Sequence, residues 1–553
     1  MLHLPCGRER CVPPLLGVGG YCNWIESNFP RSHTSAVQGE GVDVLAIDMN
    51  GLIHSQLRHH ALAMIMKQLV AVLRFARPSS SVLLAFDGPA PLAKMITQRQ
   101  RRAKSSRGWS SLDAAKPSPL HATPGTSFMA RAEAAVLYVC YSELGSARGR
   151  RLSFYLSGAD VPGEGEVKIL DWLMTCERPR KTNPTVCVVG GDGDLVLQAL
   201  TLRRWEASVL RDLPRGKRRC SLISIDSLRA QMEGAVAEMA TSLSLPVPAV
   251  TLEAGVVTAT RRIVSAWPPA LQVLEASFDR LWSAYNALRA HPSTGGQTLL
   301  APEARSFNWG LLAALFQIVR DSHLLAKAEA ARLLEAGASP KEIKAATAGV
   351  GLDPSTLHNL LERAVGEEMG GDATLSASAG EFEGKLPRND VGEYLDADGI
   401  CPDVGWRYRA SHAPRAHHIS AYASWQRTGG GEGLTAPNGG GGSIPSPLMC
   451  AVVLPRAVAT DLAPSEIAAE LKEGGILSFL EPSMERRGDS GETEYARLLE
   501  AVRLLPPHAV SPRSRRLAEA PAWLTLSRRR VTSRREPLQS DGGGSEQGGE
   551  WSQ

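Results

Sequence analysis

Short apolar runs alternate with longer helical patterns over roughly the first 240 residues. Residues 42–47, 81–86, 186–189 and 220–225 are short, mainly apolar stretches of the kind that form buried strands. Between and after them, the spacing of apolar positions predicts helices such as 59–76 and 226–239. Strands that alternate with helices form βαβ units. The sequence therefore predicts the α/β class, with a mostly parallel central sheet flanked by helices.

Three regions follow from this pattern. Residues 17–245 carry the alternating strands and helices and are expected to form the core. Residues 246–510 are predicted to be a second, largely helical region with insertions, including an Ala-rich stretch at 324–380. Residues 511–553 are rich in Arg and Ser and then in Gly, Ser and Gln, so they are expected to be a disordered tail.

Acidic residues end several of the predicted strands. Asp48 follows 42–47, Asp87 follows 81–86, and Asp192 and Asp194 follow 186–189 after two glycines. In parallel sheets, ligands bind beyond the carboxyl ends of the strands. Residues i and i+2 of an extended segment face the same way, and two carboxylates held that close repel unless a cation lies between them. The alternative is an ordinary Asp-Gly turn that closes a strand.

A second acidic pair, Glu164 and Glu166, straddles Gly165 at the start of a predicted helix. Acids at this position can complement the helix dipole, or they can supply one ligand to each of two metal ions. Six acids without His or Cys neighbours favour Mg²⁺ or Mn²⁺ over zinc. Two ions about 3.5–4 Å apart would clamp the attacking and leaving oxygens of a phosphoryl displacement. The sequence therefore predicts a catalytic site for two metal ions, with these acids as ligands.

A basic stripe follows Asp87. Lys94, Gln98, Arg101 and Arg102 are spaced i, i+4, i+7 and i+8, which is one face of a helix. Such a face is either solvated or placed to hold phosphate. Its position directly after an acidic strand end favours the second interpretation.

Composition excludes several classes of protein. The net charge of +4 over 553 residues gives no global basic field. The nine cysteines lack zinc-site or disulfide spacing, which favours a reducing compartment. The most apolar long run, 61–76, contains Lys67 and Arg74, so we expect a core helix and no membrane span.

Six blocks of sequence, between about residues 17 and 212, resemble conserved blocks of a known protein family. They are GVGGYCNWIESNFP, IDMNGLIH, FDGPAPLAKMITQRQRR, TPGTSFM, SGADVPGEGEVKI and GGDGDLV. In this order they resemble the amino-terminal half of the XRN family of 5′-to-3′ exoribonucleases. CPDVGWRYRASHAP and PLMCAVVLP are similar to weaker blocks of the family's second conserved region.

The resemblance implies a PIN or flap-nuclease-like core and assigns roles to residues. The six acids match the metal-binding carboxylates of the family, and Asp321 in FQIVRDSHLL is the candidate for a seventh. The basic stripe matches the helix that holds the 5′-phosphate. His54 matches a histidine that contacts the terminal nucleotide, and Trp406 lies in the block that supplies an aromatic wall for its base.

The implied activity is hydrolysis of single-stranded RNA with a 5′-monophosphate to nucleoside 5′-monophosphates, in RNA processing or mRNA decay. A monomer with two Mg²⁺ or Mn²⁺ ions, in the nucleus or cytoplasm, is expected. The second region departs from the family, with Arg409, Ala410 and Ser411 in place of its usual residues. Two alternatives therefore stay open: a catalytically weak RNA-binding scaffold, and a flap-endonuclease-like DNA nuclease, although no helix-hairpin-helix segment is present.

Overall fold

Eight strands form one sheet in the described part of the chain. The computed structural model describes residues 21–36, 41–57, 60–90, 92–147, 149–176, 183–191, 193–214, 220–246, 278–295, 297, 299, 308–369, 416–427, 443–480, 490–519 and 523–527. The strands are β1 His33–Ala36, β2 Val42–Asp48, β3 Pro78–Ala85, β4 Ser153–Ser157, β5 Thr185–Val189, β6 Glu206–Leu210, β7 Cys220–Ser224 and β8 Leu524–Ser527. Their order across the sheet is β1-β7-β6-β5-β2-β3-β4-β8.

The five central strands, β6, β5, β2, β3 and β4, run parallel to one another. The outer strands β7, β1 and β8 are antiparallel to their neighbours. The prediction of an α/β fold with a mostly parallel sheet is therefore confirmed. Because β2 lies between β5 and β3, the carboxyl ends of three acid-bearing strands are neighbours at one edge of the sheet.

Helices cover both faces of this sheet and build the second region. In chain order they are α1 Tyr21–Asn28, α2 Met49–Ser55, α3 Ala61–Ala76, α4 Leu92–Ser105, α5 Ser127–Gly145, α6 Gly165–Thr175, α7 Gly193–Ala199, α8 Ile225–Ser242, α9 Phe278–Ala290, α10 Trp309–Glu335, α11 Pro340–Thr347, α12 Pro354–Met369, α13 Ala416–Arg427, α14 Ser446–Val453, α15 Arg456–Leu462, α16 Ser465–Glu470, α17 Ser490–Leu504 and α18 Pro512–Glu519.

Strand β2 shows how the sheet is buried on both faces. Leu45 and Ile47 pack with α2, α3 and α5, whereas Val44 and Ala46 pack with α1, α6, α7 and α8. Successive side chains of a strand point to opposite faces, so a continuous apolar run fills two cores at once. This double burial fixes the register of the strand and hence the position of the acid that ends it.

The described part of 246–510 is helical, and it packs as two groups. Helices α9, α10, α12 and α13 share one apolar core that also includes Leu243 at the end of α8. Helices α14 to α17 share another core, which includes Met95 of α4 and Leu120. The second group therefore packs against the basic helix α4 through Met95. Within the described residues, no helix combines the length and apolarity needed to cross a membrane.

The prediction of a disordered tail from residue 511 needs correction for its first part. Residues 512–519 form α18, and 524–527 form β8, which pairs antiparallel with β4. Leu526 is buried in the same core as Leu45. The composition of this segment gave no sign of a strand. The strand is stabilised by pairing with β4, more than 350 positions away in the sequence, and local composition does not report such pairing. Residues 528–553 lie outside the described part.

Candidate active site

Asp48 and Asp87 meet at the carboxyl edge of the sheet through Asn50. Asp48 ends β2 and caps α2, where its Oδ1 accepts a hydrogen bond from the Asn50 backbone N–H at 3.0 Å. The side chain of Asn50 donates through Nδ2 to Asp87 Oδ2 at 2.7 Å, and its Oδ1 accepts from the Asp87 backbone N–H at 3.1 Å. One buried amide therefore ties the two acidic strand ends together.

The backbone between Glu164 and Glu166 reaches the same edge of the sheet at Gly165. The Gly165 backbone N–H donates to Asp87 Oδ1 at 2.8 Å. A Cβ on Gly165 would lie 2.9 Å from Asp48 Oδ1 and 2.9 Å from the Ala85 carbonyl oxygen. A glycine is required here because the backbone between the two glutamates passes directly against both aspartates.

The segment after β5 approaches from the other side. A Cβ on Gly190 would lie 3.7 Å from the Asp48 Cβ atom. In α7, Gln198 donates through Nε2 to Glu166 Oε1 at 3.3 Å. Asp194 lies in the first turn of α7, but its side chain and the whole of Asp192 lie outside the described part. The backbone on either side of Asp192 thus runs past the edge that holds Asp48.

The basic helix α4 lies beside these acids. The charge of Arg102 interacts with that of Asp87, and its guanidinium donates to the carbonyl oxygens of Pro119 and Ala122. Burial lowers the pKa of Arg102 to about 10. The negative charge of Asp87 raises this pKa, and the positive charge of Arg101 lowers it further. Gln98 is half-buried, and its buried Oε1 has no hydrogen-bond partner among the described residues, while Arg101 is exposed. The side chain of Lys94 lies outside the described part.

His54 lies on α2, where it interacts electrostatically with Arg102. Its side chain keeps an exposed edge. Loss of hydration to neighbouring protein atoms, with a smaller contribution from the positive charge of Arg102, lowers the pKa of His54 to about 4. The imidazole is therefore neutral near pH 7 and can act as a hydrogen-bonding or stacking group.

This shift predicts a pH dependence of stability. Between about pH 4 and 6.5 the unfolded chain binds a proton at His54 that the folded chain does not, so this residue lowers the free energy of unfolding as the pH falls through that window. Wild type should lose stability relative to His54→Asn below pH 6.5, and the difference should be constant above pH 7. Urea unfolding of both proteins from pH 4.5 to 8 measures this, and a difference that is constant throughout contradicts it.

Two other predicted site residues are not brought to this edge by the described contacts. Asp321 lies on α10, where its Oδ1 accepts from Arg320 Nε at 2.7 Å and its Oδ2 is 3.9 Å from Arg363 Nη1. Its role as a seventh metal ligand stays a prediction. Trp406, with Arg409, Ala410 and Ser411, lies outside the described residues.

The carboxylates suit a hard divalent cation. Among the described residues, no three acidic, His or Cys side chains are close enough together to hold a metal ion; Asp192 and the carboxylate of Asp194 are not part of that set. The hydrogen bonds from Asn50 and Gly165 orient the carboxylates of Asp48 and Asp87. The oxygen-only donor set fits Mg²⁺ or Mn²⁺.

Sequence reasoning missed Asn50, Gln198 and Lys168. Asn50 lies in the block that follows Asp48, so its proximity in sequence was an available signal. Gln198 and Lys168 each follow a predicted acid by four residues, Asp194 and Glu164 respectively, but the spacing does not show which contacts they make. Burial lowers the pKa of Lys168 to about 7, while the negative charges of Asp87, Glu133 and Asp160 favour its ammonium form.

Comparison with known proteins finds a family match for the amino-terminal part of the chain. Residues 16–213 match the family described as XRN 5′-3′ exonuclease N-terminus. The matched region contains β1 to β6, every predicted acid except Asp321, and the basic helix. Residues 16–213 of this chain are therefore similar to the amino-terminal region of XRN-family exonucleases.

Relatives that match part of this chain carry exoribonuclease names. The chain is 29% identical over 253 residues to the 5′-3′ exoribonuclease 2 of Kluyveromyces lactis, and this alignment covers 36% of this chain and 26% of the relative. It is 30% identical over 270 residues to the 5′-3′ exoribonuclease 2 homolog of Caenorhabditis elegans, covering 37% and 27%. It is 29% identical over 227 residues to human 5′-3′ exoribonuclease 1, covering 36% and 13%. The chain thus matches about a quarter or less of each relative's length.

Proposed function

We propose that the protein is a divalent-metal-dependent 5′-to-3′ exoribonuclease that removes nucleotides from single-stranded RNA with a 5′-monophosphate. The observation that carries this proposal is the joining of Asp48, Asp87 and Gly165 at one sheet edge, with Glu164 and Glu166 on either side of that glycine. The exoribonuclease names of the relatives support RNA over DNA as the substrate.

The proposed mechanism divides the work between the acids and the basic helix. Asp48, Asp87, Glu164, Glu166, Asp192 and Asp194 would hold two Mg²⁺ or Mn²⁺ ions. When bound, such ions activate water and neutralise charge on the leaving oxygen. Lys94, Gln98, Arg101 and Arg102 would bind the terminal phosphate. This contact would place the first phosphodiester at the acids and so release one nucleoside 5′-monophosphate at a time.

Neutral His54 and Trp406 complete the proposed substrate site. His54 would contact the terminal nucleotide, and Trp406 would stack on its base, as aromatic side chains do in sites for single-stranded nucleic acid. The buried Oε1 of Gln98 can accept only from a donor, such as a ribose hydroxyl of the substrate, and a phosphate oxygen would take its hydrogen bond from Nε2 of the same side chain.

The test uses single-stranded RNA labelled at its 3′ end and carrying either a 5′-monophosphate or a 5′-hydroxyl. Incubation with Mg²⁺ should degrade the monophosphorylated RNA to mononucleotides and degrade the hydroxyl RNA much more slowly. Binding of both RNAs without cleavage would contradict the proposal and favour the RNA-binding scaffold. Cleavage of branched DNA in preference to RNA would favour the flap-type nuclease.

Replacing Lys94 by alanine should remove the preference for a 5′-phosphate. A hydrogen bond to a charged group contributes about 1.5–3 kcal/mol, so the ratio of kcat/KM for phosphorylated over hydroxyl RNA is expected to fall by about 10- to 100-fold. The matched control is Lys104→Ala, an exposed lysine near the end of the same helix, which should keep the wild-type ratio. An unchanged ratio in Lys94→Ala would count against phosphate docking on α4.

A further inference from the structure

Lys168 is a buried lysine beside the candidate active site. It lies on α6, two residues after Glu166, and is only 8% exposed. Its Nζ donates to three backbone carbonyl oxygens: Val161 at 2.6 Å, Phe86 at 2.8 Å and Gly158 at 3.3 Å. A lysine ammonium has three N–H donors, and here each has its own acceptor.

The three carbonyls belong to the two segments that carry the acids. Phe86 immediately precedes Asp87. Gly158 and Val161 lie in the turn at 158–163, which we call the glutamate turn because it leads directly into Glu164. Lys168 therefore joins the end of β3 to the glutamate turn through a single charged group.

Other contacts in this region depend on the same alignment. Gly88 N–H donates to the Gly163 carbonyl, and Gly163 N–H donates to the Pro89 carbonyl, each at 2.9 Å. From α5, Glu133 Oε2 accepts from the Ala159 backbone N–H at 3.2 Å. The glutamate turn is thus held from three sides, and Lys168 fills the interior.

An uncharged side chain would not reproduce this arrangement. Burying an ammonium is costly unless it is paired and hydrogen-bonded, and the charges of Asp87, Glu133 and Asp160 compensate it here. A methionine of similar length would avoid that cost, but the carbonyls of Phe86 and Val161 would lose the ammonium donor and Gly158 would keep only the Val161 N–H. The backbone of the glutamate turn would then move towards other donors and away from Asp87.

We propose that Lys168 is a positioning residue of the active site: its ammonium sets the separation between Asp87 and the Glu164–Glu166 pair and thereby the affinity of the site for divalent cations. The inference rests on the proposed function in that it takes these acids as metal ligands. Lys168 acts through the backbone, since its hydrogen bonds go to carbonyl oxygens.

Positioning and simple electrostatics predict opposite effects for Lys168→Met. Removing a positive charge next to the acids would by itself strengthen cation binding. Loss of positioning weakens it, and changes in groups that orient metal ligands typically cost about 10- to 100-fold in metal affinity. The direction of the change therefore identifies the role of the lysine.

The experiment measures Mn²⁺ binding to the full chain by electron paramagnetic resonance, without RNA. Lys168→Met is expected to bind Mn²⁺ at least about tenfold more weakly than wild type. Lys168→Arg, which keeps the charge and several donors, should recover part of that loss. Lys67→Met, at an exposed position on α3, is the matched control and should bind as wild type does. Circular dichroism and thermal unfolding show whether each variant is folded at the temperature of the measurement.

Equal or tighter Mn²⁺ binding by folded Lys168→Met overturns the inference. If Lys168→Met does not fold, Lys168→Arg carries the test, because its planar head cannot reproduce the three contacts; wild-type affinity in that variant overturns the inference. Wild type that binds Mn²⁺ but degrades no RNA contradicts the proposed function and leaves Lys168 to be judged by the binding data. Wild type that degrades RNA, with Lys168→Met unchanged in Mn²⁺ binding, contradicts this inference alone.

Discussion

Replacing Asp48 by asparagine is expected to slow RNA hydrolysis by about a thousandfold or more, equivalent to about 4 kcal/mol of transition-state stabilisation. The fold should persist, because asparagine is as good a helix N-cap as aspartate and its side-chain oxygen can still accept from the Asn50 N–H. The change therefore removes a negative charge and one acceptor oxygen from the acidic edge. Single-turnover degradation of 3′-labelled RNA at saturating Mg²⁺ measures the effect.

The control for this variant lies on the helix that carries Glu166. Asp171 on α6 is exposed, and Asp171→Asn removes the same charge at a distance from the edge. It should keep wild-type activity and a wild-type unfolding transition. If Asp48→Asn retains more than about a tenth of the wild-type rate, Asp48 is not essential to the hydrolysis and the proposed ligand set is wrong.

Gly88→Ala is expected to reduce the free energy of unfolding by about 3 kcal/mol or more. A Cβ at this position would overlap the Val161 carbonyl group, which belongs to the backbone and cannot turn aside. The neighbouring loops are also held together by the two hydrogen bonds between Gly88, Pro89 and Gly163. Any relaxation must therefore separate the Asp87 loop from the glutamate turn, so activity should fall together with stability.

Gly234 provides the matched comparison. It is exposed in the middle of α8, and a Cβ there would meet no atom within 4 Å. Gly234→Ala is expected to leave activity unchanged and to raise stability by about 0.5–1 kcal/mol, because alanine loses less backbone entropy in a helix. Urea unfolding of both variants tests the contrast. Equal stability of the two proteins would show that the contact between the Asp87 loop and the glutamate turn is not as tight as described.

The acids were predictable because each depends on a local pattern. Asp48 and Asp87 end apolar runs long enough to be buried strands, and such runs in alternation with helices give a parallel sheet whose carboxyl ends share an edge. The same logic predicted the basic face of α4, since helical spacing alone determines which side chains share a face. The strands β1, β4, β6 and β8 were not predicted, because short segments with mixed composition acquire strand structure only by pairing with neighbours.

The sequence by itself determined the α/β class, the sheet edge at which Asp48 and Asp87 lie, and the family that residues 16–213 match. Each of these depends on periodicity or on the order of short blocks, which the chain carries without reference to distant residues. Only the tertiary structure decided that residues 524–527 pair with β4, that Asn50 bridges two acidic strand ends, and that Lys168 joins the Asp87 loop to the glutamate turn. These features join segments that are far apart in sequence. The buried ammonium of Lys168, for example, acquires all of its hydrogen-bond acceptors only when the segment after β3 and the glutamate turn have come together.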